Sequence, residues 1–507
     1  MIRQEIIKLI QKATGVPQEK IRVTYPEGEG FGDYTTNIAL QLKKPTNEIA
    51  ANLKSDLFEK IEVKGPGFIN FFINKNFIQK QIGEILKQKE KYGQIKIGRG
   101  QKVNVEFISA NPTGPLTLGN GRGGFCGDVL ANVLNAAGFE AKREYYINDT
   151  GEQIKKLGHS VIGDSEAVYQ GQYIEELRKK VKGSDPEKVG ENAAKIVLQE
   201  MIKLTVKKMK IKFDVWFSEK KLYQKKEIAK VLDILKKKNL SYESEGALWF
   251  KSTQFGDDKD RVLTKADGEE TYLASDIAYL KNKFTRGFKK LIFFWGADHY
   301  GYVARILAAA EALGFKKEQI DIVVMQLVRL IQDGKEIRMS KRTGNYVTLD
   351  ELIDEVGLDI TRYFFLTRSA NTHLNFDLAL AKEQSENNPV YYIQYAYARI
   401  CSILRKSKML EAGPRTDLLE HPAELKLIRQ LMRFPEVIED TAKDYQIQRL
   451  PQYAVDLATV FHQFYRDCHV ISEDKNLTQA RLRLVSATKI VLNNTLSLMG
   501  ISAPEKM

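Results

Sequence analysis

NVEFISANPTGPLTLGNGRGGFCGDVLANVLNAAGF, residues Asn104 to Phe139, decides the fold class. NVEFI predicts a buried strand. NPTGPLTLGN supplies a Pro/Gly turn, and GRGGFCGDVLANVLNAAGF carries helical spacing that Gly138 stops. REYYI, Arg143 to Ile147, follows as a second strand. Strand, glycine-rich turn, helix and strand in this order open a doubly wound parallel sheet, an α/β fold of Rossmann type.

Upstream, residues 1–92 predict a small α/β domain. Its parts are an amphipathic helix from MIRQEIIKLIQKA, a strand from IRVTY, a loop at YPEGEGFGD, a helix from TTNIALQLKK and a strand from GPGFINFFI. Downstream, 151–245 is lysine-rich and helical, an insertion between the halves of the sheet. The sheet is expected to resume with ALWF, RVLTKADG, LIFFWGADHYG and IVVMQLVRL, completing a catalytic-type domain over 93–385. From 386 to 507 only the 3.6-residue period persists, and an all-helical domain closes the chain.

These 507 residues exceed what one hydrophobic core usually holds, consistent with several domains. A net charge of +13, spread over all three parts, points to an anionic partner, nucleic acid first. Cys126, Cys401 and Cys468 are the only cysteines and form no CxxC, which argues against a disulfide framework or a cysteine zinc site and fits a reducing cytoplasm. The N-terminus does not read as a signal or transit peptide. No apolar run approaches the roughly 20 residues of a membrane helix, so a soluble protein is expected.

The glycine-rich turn suits a triphosphate. Gly119, Gly121, Gly123 and Gly124 let backbone approach closely, and Thr117 and Asn120, three apart, can aim at the same phosphate oxygens. Alone it would read first as a turn and helix cap, because such glycine-rich matches are common. A second segment, EIRMSKRTGN from Glu336 to Asn345, places Lys341 between Arg338 and Arg342, a cationic clamp for pyrophosphate, with Ser340 and Gly344 suggesting a loop able to close.

Together the two segments resemble the HIGH-like and KMSKS-like signatures of class I aminoacyl-tRNA synthetases. VEFISANPTGPL, YINDTGEQI, YLASDIAYL, WGADHYGYV and RMSKRTGNYVTLDELIDEVGLDITRYFFL are similar, in order, to segments of the arginyl-tRNA synthetases. FGDYTTNIALQL and GPGFINFFI resemble that family's additional tRNA-binding N-terminal domain, and the helical end resembles its anticodon-binding domain. The resemblance spans essentially the whole chain and is least specific over 151–245.

It implies ATP-dependent activation of L-arginine and transfer of the arginyl group to the 3′-terminal adenosine of tRNA(Arg). ATP with Mg²⁺ would be the substrate, with no tightly bound cofactor and no structural zinc, in a cytoplasmic monomer. By resemblance Lys341, Asn120 and Thr117 are catalytic, and Thr117, Gly119, Asn120, His299, Met339, Ser340 and Lys341 bind ATP. Glu106, Ser109, Asn111, Asn120, Tyr272, Asp276 and His299 match arginine-binding positions. A guanidinium calls for fixed carboxylates, and Tyr272 and Asp276, four apart on a predicted helix, share a face.

Two departures stand out. Thr117 and Asn120 replace both histidines of the first signature, and Arg338 replaces the first lysine of the second. A neutral donor is worth about half a charged one, which leaves more of the work to Lys341 and Mg²⁺. The loss of both histidines also motivates a second reading, a non-catalytic tRNA-binding or regulatory protein derived from a synthetase. Tyr391, Tyr392, Tyr395 and Tyr397 form a stripe that suits core packing first and RNA stacking second. His462 and His469, seven apart, are expected on one helix face without a third ligand.

Overall fold

The computed structural model describes residues 1–507 except 27, 29, 66, 333, 338–347 and 408–414. Met339, Ser340 and Lys341 therefore lie outside the described residues, as do Arg338 and Arg342.

Five parallel strands form the central sheet, in spatial order Ile320–Met325, Lys290–Gly296, Lys102–Glu106, Glu140–Ile147 and Val215–Ser218. The chain builds outward from Lys102–Glu106 in one direction, then crosses to Lys290–Gly296 and builds in the other. The strand order therefore reverses between these two neighbours, and a crevice opens at their carboxyl ends, Glu106 and Gly296. Helix Leu118–Ala136 begins at Thr117, one turn beyond the first strand, and Gly138 at φ +86° ends it.

The helix's glycines divide into two groups. A Cβ on Gly124 would lie 2.6 Å from Met209 Cε, and one on Gly127 would lie 2.3 Å from Phe107 Cγ. These glycines let the helix lie tight against the sheet and the insertion. Gly121 faces Leu349, where a Cβ would approach to 2.6 Å. Gly119 and Gly123 face open space. The expectation that all the glycines of the turn serve the phosphates is corrected: Gly121 and Gly124 serve packing.

Other expectations change too. Val215–Ser218, inside the stretch read as a helical insertion, is the edge strand of the central sheet. The helices before it run Glu152–Ile162, Gln172–Lys180 and Pro186–Ile196, the last continuing through a π-helical turn, Val197–Ile202, into Lys203–Lys208. ALWF and RVLT do not resume the central sheet; with Ser241–Ser244 they make a separate antiparallel sheet. QLVRL contributes Val328–Gln332 to a third small sheet, between Lys335–Ile337 and Leu374–Asp377. In the N-terminal unit IRVTY makes only an isolated bridge, Thr24 to Thr35, and the strands are Tyr34–Thr36, Phe58–Lys64 and Phe68–Ile73.

Long helices Pro389–Lys406, Pro422–Met432, Phe434–Asp444, Arg449–Asp467 and Lys475–Met499 build the C-terminal part. The N-terminal unit docks on it through a buried ion cluster. Arg3 reaches Glu439 at 2.9 Å and Asp440 at 2.8 Å, its backbone N–H donates to Glu436 Oε1 at 3.1 Å, and Tyr34 donates to the same oxygen at 3.0 Å. Among the described residues no helix is long and apolar enough to cross a membrane.

Candidate active site

A cavity of about 620 Å³ fills the crevice where the strand order reverses. It gathers residues far apart in sequence: Glu106, Ser109 and Asn111 after the first strand, Thr117, Gly119 and Asn120 at the helix start, and Asp276 and His299 across the sheet. Tyr272 is outside this wall. It is the first residue of helix Tyr272–Thr285, half exposed, one turn before Asp276 and beside Gly151. The shared helix face holds, but only Asp276 is deep enough to line the cavity.

One end of the cavity is acidic. Ile108 and Ser109 adopt φ of +65° and +37°, a strained pair for which a β-branched residue is a poor fit. This kink turns Ser109 back on its own strand, where its hydroxyl donates to Glu106 Oε1 at 3.2 Å and accepts from the Tyr146 N–H at 3.0 Å. Glu106 Oε2 accepts from Tyr279 at 3.0 Å and pairs with the Lys283 ammonium at 2.7 Å.

Among the described residues Asp276 has no such cation. Burial pushes its carboxyl up to about 7, against the hydrogen bond from Tyr302 at 2.7 Å, and the nearby charges of Glu219 and Glu106 push the same way. Glu219 is buried next to it and is likewise pushed up to about 7, by burial first and the charge of Asp149, with Ser275 opposing. Among the described residues neither carboxylate forms an ion pair. Asp276 in the cavity wall, with Glu219 buried beside it, makes this end a receptor for a cation.

The other end is a helix start. Thr117 caps helix Leu118–Ala136, and its N–H and hydroxyl both donate to Asn120 Oδ1, at 3.0 and 2.9 Å. Thr117 also bridges to Thr348, and the Leu349 N–H donates to the Leu116 carbonyl at 3.1 Å. The chain leaving the second signature is thus seated on the first.

Residues 81–179 and 164–364 match the catalytic domain model of class I (R) tRNA synthetases, 1–73 the arginyl-tRNA synthetase N-terminal domain and 393–507 the DALR anticodon-binding domain. The arginine–tRNA ligase of Bacillus subtilis is 44% identical over the whole of this chain and 98% of its own. The chain belongs to the arginyl-tRNA synthetase family. Arginine–tRNA ligase 1 of Halalkalibacterium halodurans is 42% identical with the same coverage. The solved arginyl-tRNA synthetase of Thermus thermophilus has the same fold, with a TM-score of 0.83 at 22% identity over all of both chains.

In this synthetase the first signature differs from the expectation of two converging donors. The Thr117 hydroxyl proton is committed to Asn120, so the Asn120 amide NH₂ is the pair's remaining side-chain donor. Two contributors are not evident in the sequence. Glu219 stands just past the edge strand, as Glu106 ends the central one, but short VWFS gave no sign of being in the sheet. Arg122 is fully buried and donates to the carbonyls of Gln326 at 2.8 Å and Ser369 at 2.9 Å, tying the signature helix to the Met325–Val328 wall of the cavity.

A second cleft, about 830 Å³, lies in the helical C-terminal part. Arg399 stands 4.9 Å from the ring centres of both Tyr395 and Tyr465 there, with Arg405, Lys406 and His469 around it. Of the tyrosine stripe, Tyr397 is buried and Tyr395 exposed. His462 and His469 do not share a helix face, because the helix ends at Asp467; His462 packs with its ring tilted against Tyr392 instead, at 4.9 Å.

Proposed function

We propose that this synthetase joins L-arginine to AMP at the cavity and passes the arginyl group to the 3′-terminal adenosine of tRNA(Arg). The observation that carries this reading is Asp276, a carboxylate in the cavity wall that no cation meets among the described residues, with Glu219 buried beside it: a seat for the guanidinium. Glu106, Ser109 and Asn111 hold the rest of the amino acid, which directs its carboxylate toward the helix start at Thr117. ATP lies between that helix start, Gly119, Gly123 and His299. The arginine carboxylate oxygen attacks the α-phosphate in line and pyrophosphate leaves; the terminal ribose hydroxyl then attacks the activated carbonyl and AMP leaves.

Such chemistry depends on positioning and charge neutralisation rather than a covalent nucleophile. We assign neutralisation to the helix N-terminus, to Asn120 and, by signature, to Lys341, with Met339 and Ser340 shaping its loop. Mg²⁺ accompanies ATP; among the described residues no group of three or more His, Cys, Asp or Glu converges to hold an ion. The Tyr395, Arg399 and Tyr465 cleft suits splayed loop bases, which stack on rings and guanidinium planes. The division of the chain at about 92 and 385, a monomeric state and a cytoplasmic location belong to the same reading.

Arginine-dependent aminoacylation of unfractionated tRNA tests it. Charging with arginine supports the proposal; tight tRNA binding with no charging by any amino acid would instead establish the non-catalytic alternative.

A further inference from the structure

Behind the cavity, helix Tyr272–Thr285 and its C-cap Arg286 turn Tyr279, Lys283 and Arg286 toward the central sheet, at spacings that share one face. Lys283 is fully buried. Its ammonium lies 2.7 Å from Glu106 Oε2 and 3.5 Å from Glu144 Oε1, donates to Asn104 Oδ1, and stands 4.5 and 4.7 Å from the rings of Tyr279 and Phe293. Burying an ammonium is costly, and an apolar residue of the same size would pack there at less expense.

Glu144 does not account for that lysine. It is already held by two bonds from Arg286, at 2.6 and 2.7 Å, by Asn104 at 3.0 Å and by Tyr279. With burial opposing them, Lys283 and Arg286 hold its carboxyl down at about 2. The closer partner of Lys283 is Glu106, the charged member of this cluster that lines the cavity. With Oε2 fixed from behind by Lys283 and Tyr279, Oε1 beside Ser109 is the edge offered to a ligand.

We propose that Lys283 is a positioning residue for arginine, an internal counter-ion that locks Glu106 in its receiving orientation. The proposal rests on Glu106 being part of the arginine site, as assigned above. Lys283 touches no substrate; it acts through a carboxylate that does.

The test uses the full chain and measures kcat and KM for arginine and ATP in tRNA charging, with thermal midpoints alongside. Lys283→Met should raise KM for arginine about 10- to 100-fold, the range for loss of a charged hydrogen bond, with KM for ATP within about 2-fold. Lys283→Met/Glu144→Gln restores charge balance, so its thermal midpoint should recover while KM for arginine stays high. Recovery of both, a folded Lys283→Met with normal arginine KM, or equal rises for arginine and ATP would each overturn the proposal. If neither Lys283 variant folds, Asn104→Ala decides, because it removes the lysine's amide partner and keeps every charge: a several-fold rise in arginine KM alone supports the proposal, and no rise overturns it. A wild-type chain that charges no arginine would overturn the proposed function instead, and the control shows that first.

Discussion

Tyr302 donates to Asp276 Oδ2 at 2.7 Å, and among the described residues no cation meets that carboxylate from any side. With Asp276 and Glu219 both pushed up to about 7, the folded chain retains protons that an unfolded chain would release above about pH 4. The sign follows. These groups favour the folded state at low pH, and that contribution is lost as pH rises through about 7. Arginine binding needs the ionised form, so KM for arginine should fall as pH rises from about 6 to 8 and then level off. Asp276→Asn should raise KM for arginine strongly and flatten part of this dependence. A pH-independent KM over that range would count against the assignment.

The two kinds of glycine in helix Leu118–Ala136 are separable. Gly127→Ala drives a methyl into the Phe107 ring and should cost about 1–3 kcal/mol of stability, read as a lower thermal midpoint. Gly123→Ala adds its methyl to open cavity space, so the midpoint should hold while KM for ATP rises several-fold. Equal effects on both readouts would mean that the division is wrong.

Asn120→Ala removes the acceptor that receives both Thr117 donors. Loss of the cap should lower stability by about 1 kcal/mol, and loss of the remaining donor should slow adenylate formation about 10-fold or more. Replacing both residues with histidine tests whether the neutral pair limits the rate; the exchange also breaks the cap, so the midpoint must be followed with the rate.

Lys341→Ala should depress adenylate formation by two or more orders of magnitude, on the scale of losing one transition-state contact, and leave tRNA affinity nearly unchanged. Filter binding and pyrophosphate exchange measure the two. Parallel losses would remove Lys341 from the role its signature suggests.

Tyr395→Ala and Tyr465→Ala should each weaken tRNA binding about 5- to 100-fold, the effect of one stacked base, with tRNA-independent steps untouched. Unchanged affinity in both variants would place the RNA elsewhere on the helical part.

What could be read in advance follows the range of the interactions. The strand, turn and helix of Asn104–Phe139 are local, and each announces itself through spacing and cap residues. ALWF and VWFS are both short, largely apolar runs, yet one belongs to a small antiparallel sheet and the other to the central one. Strand partners are set by contacts distant in sequence, so neither run carries that information. The same limit applies to the site. Glu106 and Asp276 stood out through motif resemblance, whereas Glu219 and Lys283 acquire meaning only when sheet order and a helix face bring them beside the carboxylates that line the cavity. Tyr272 shows a complementary limit: helical spacing gives its direction, whereas its half-exposed place outside the cavity wall is set by tertiary packing.

The carboxylate partners of Arg3, namely Glu436, Glu439 and Asp440, come more than 400 residues later in the chain. At about 5–20 residues per second, the opening helix waits roughly 20–90 s on the ribosome before its counter-charges exist. During that interval the N-terminal unit has a guanidinium and an apolar face with nothing to dock on. Nascent chains of this synthetase should therefore lean on chaperones until the last helices emerge, and C-terminal truncations that remove Glu436 should accumulate in the insoluble fraction even though the catalytic cavity is complete.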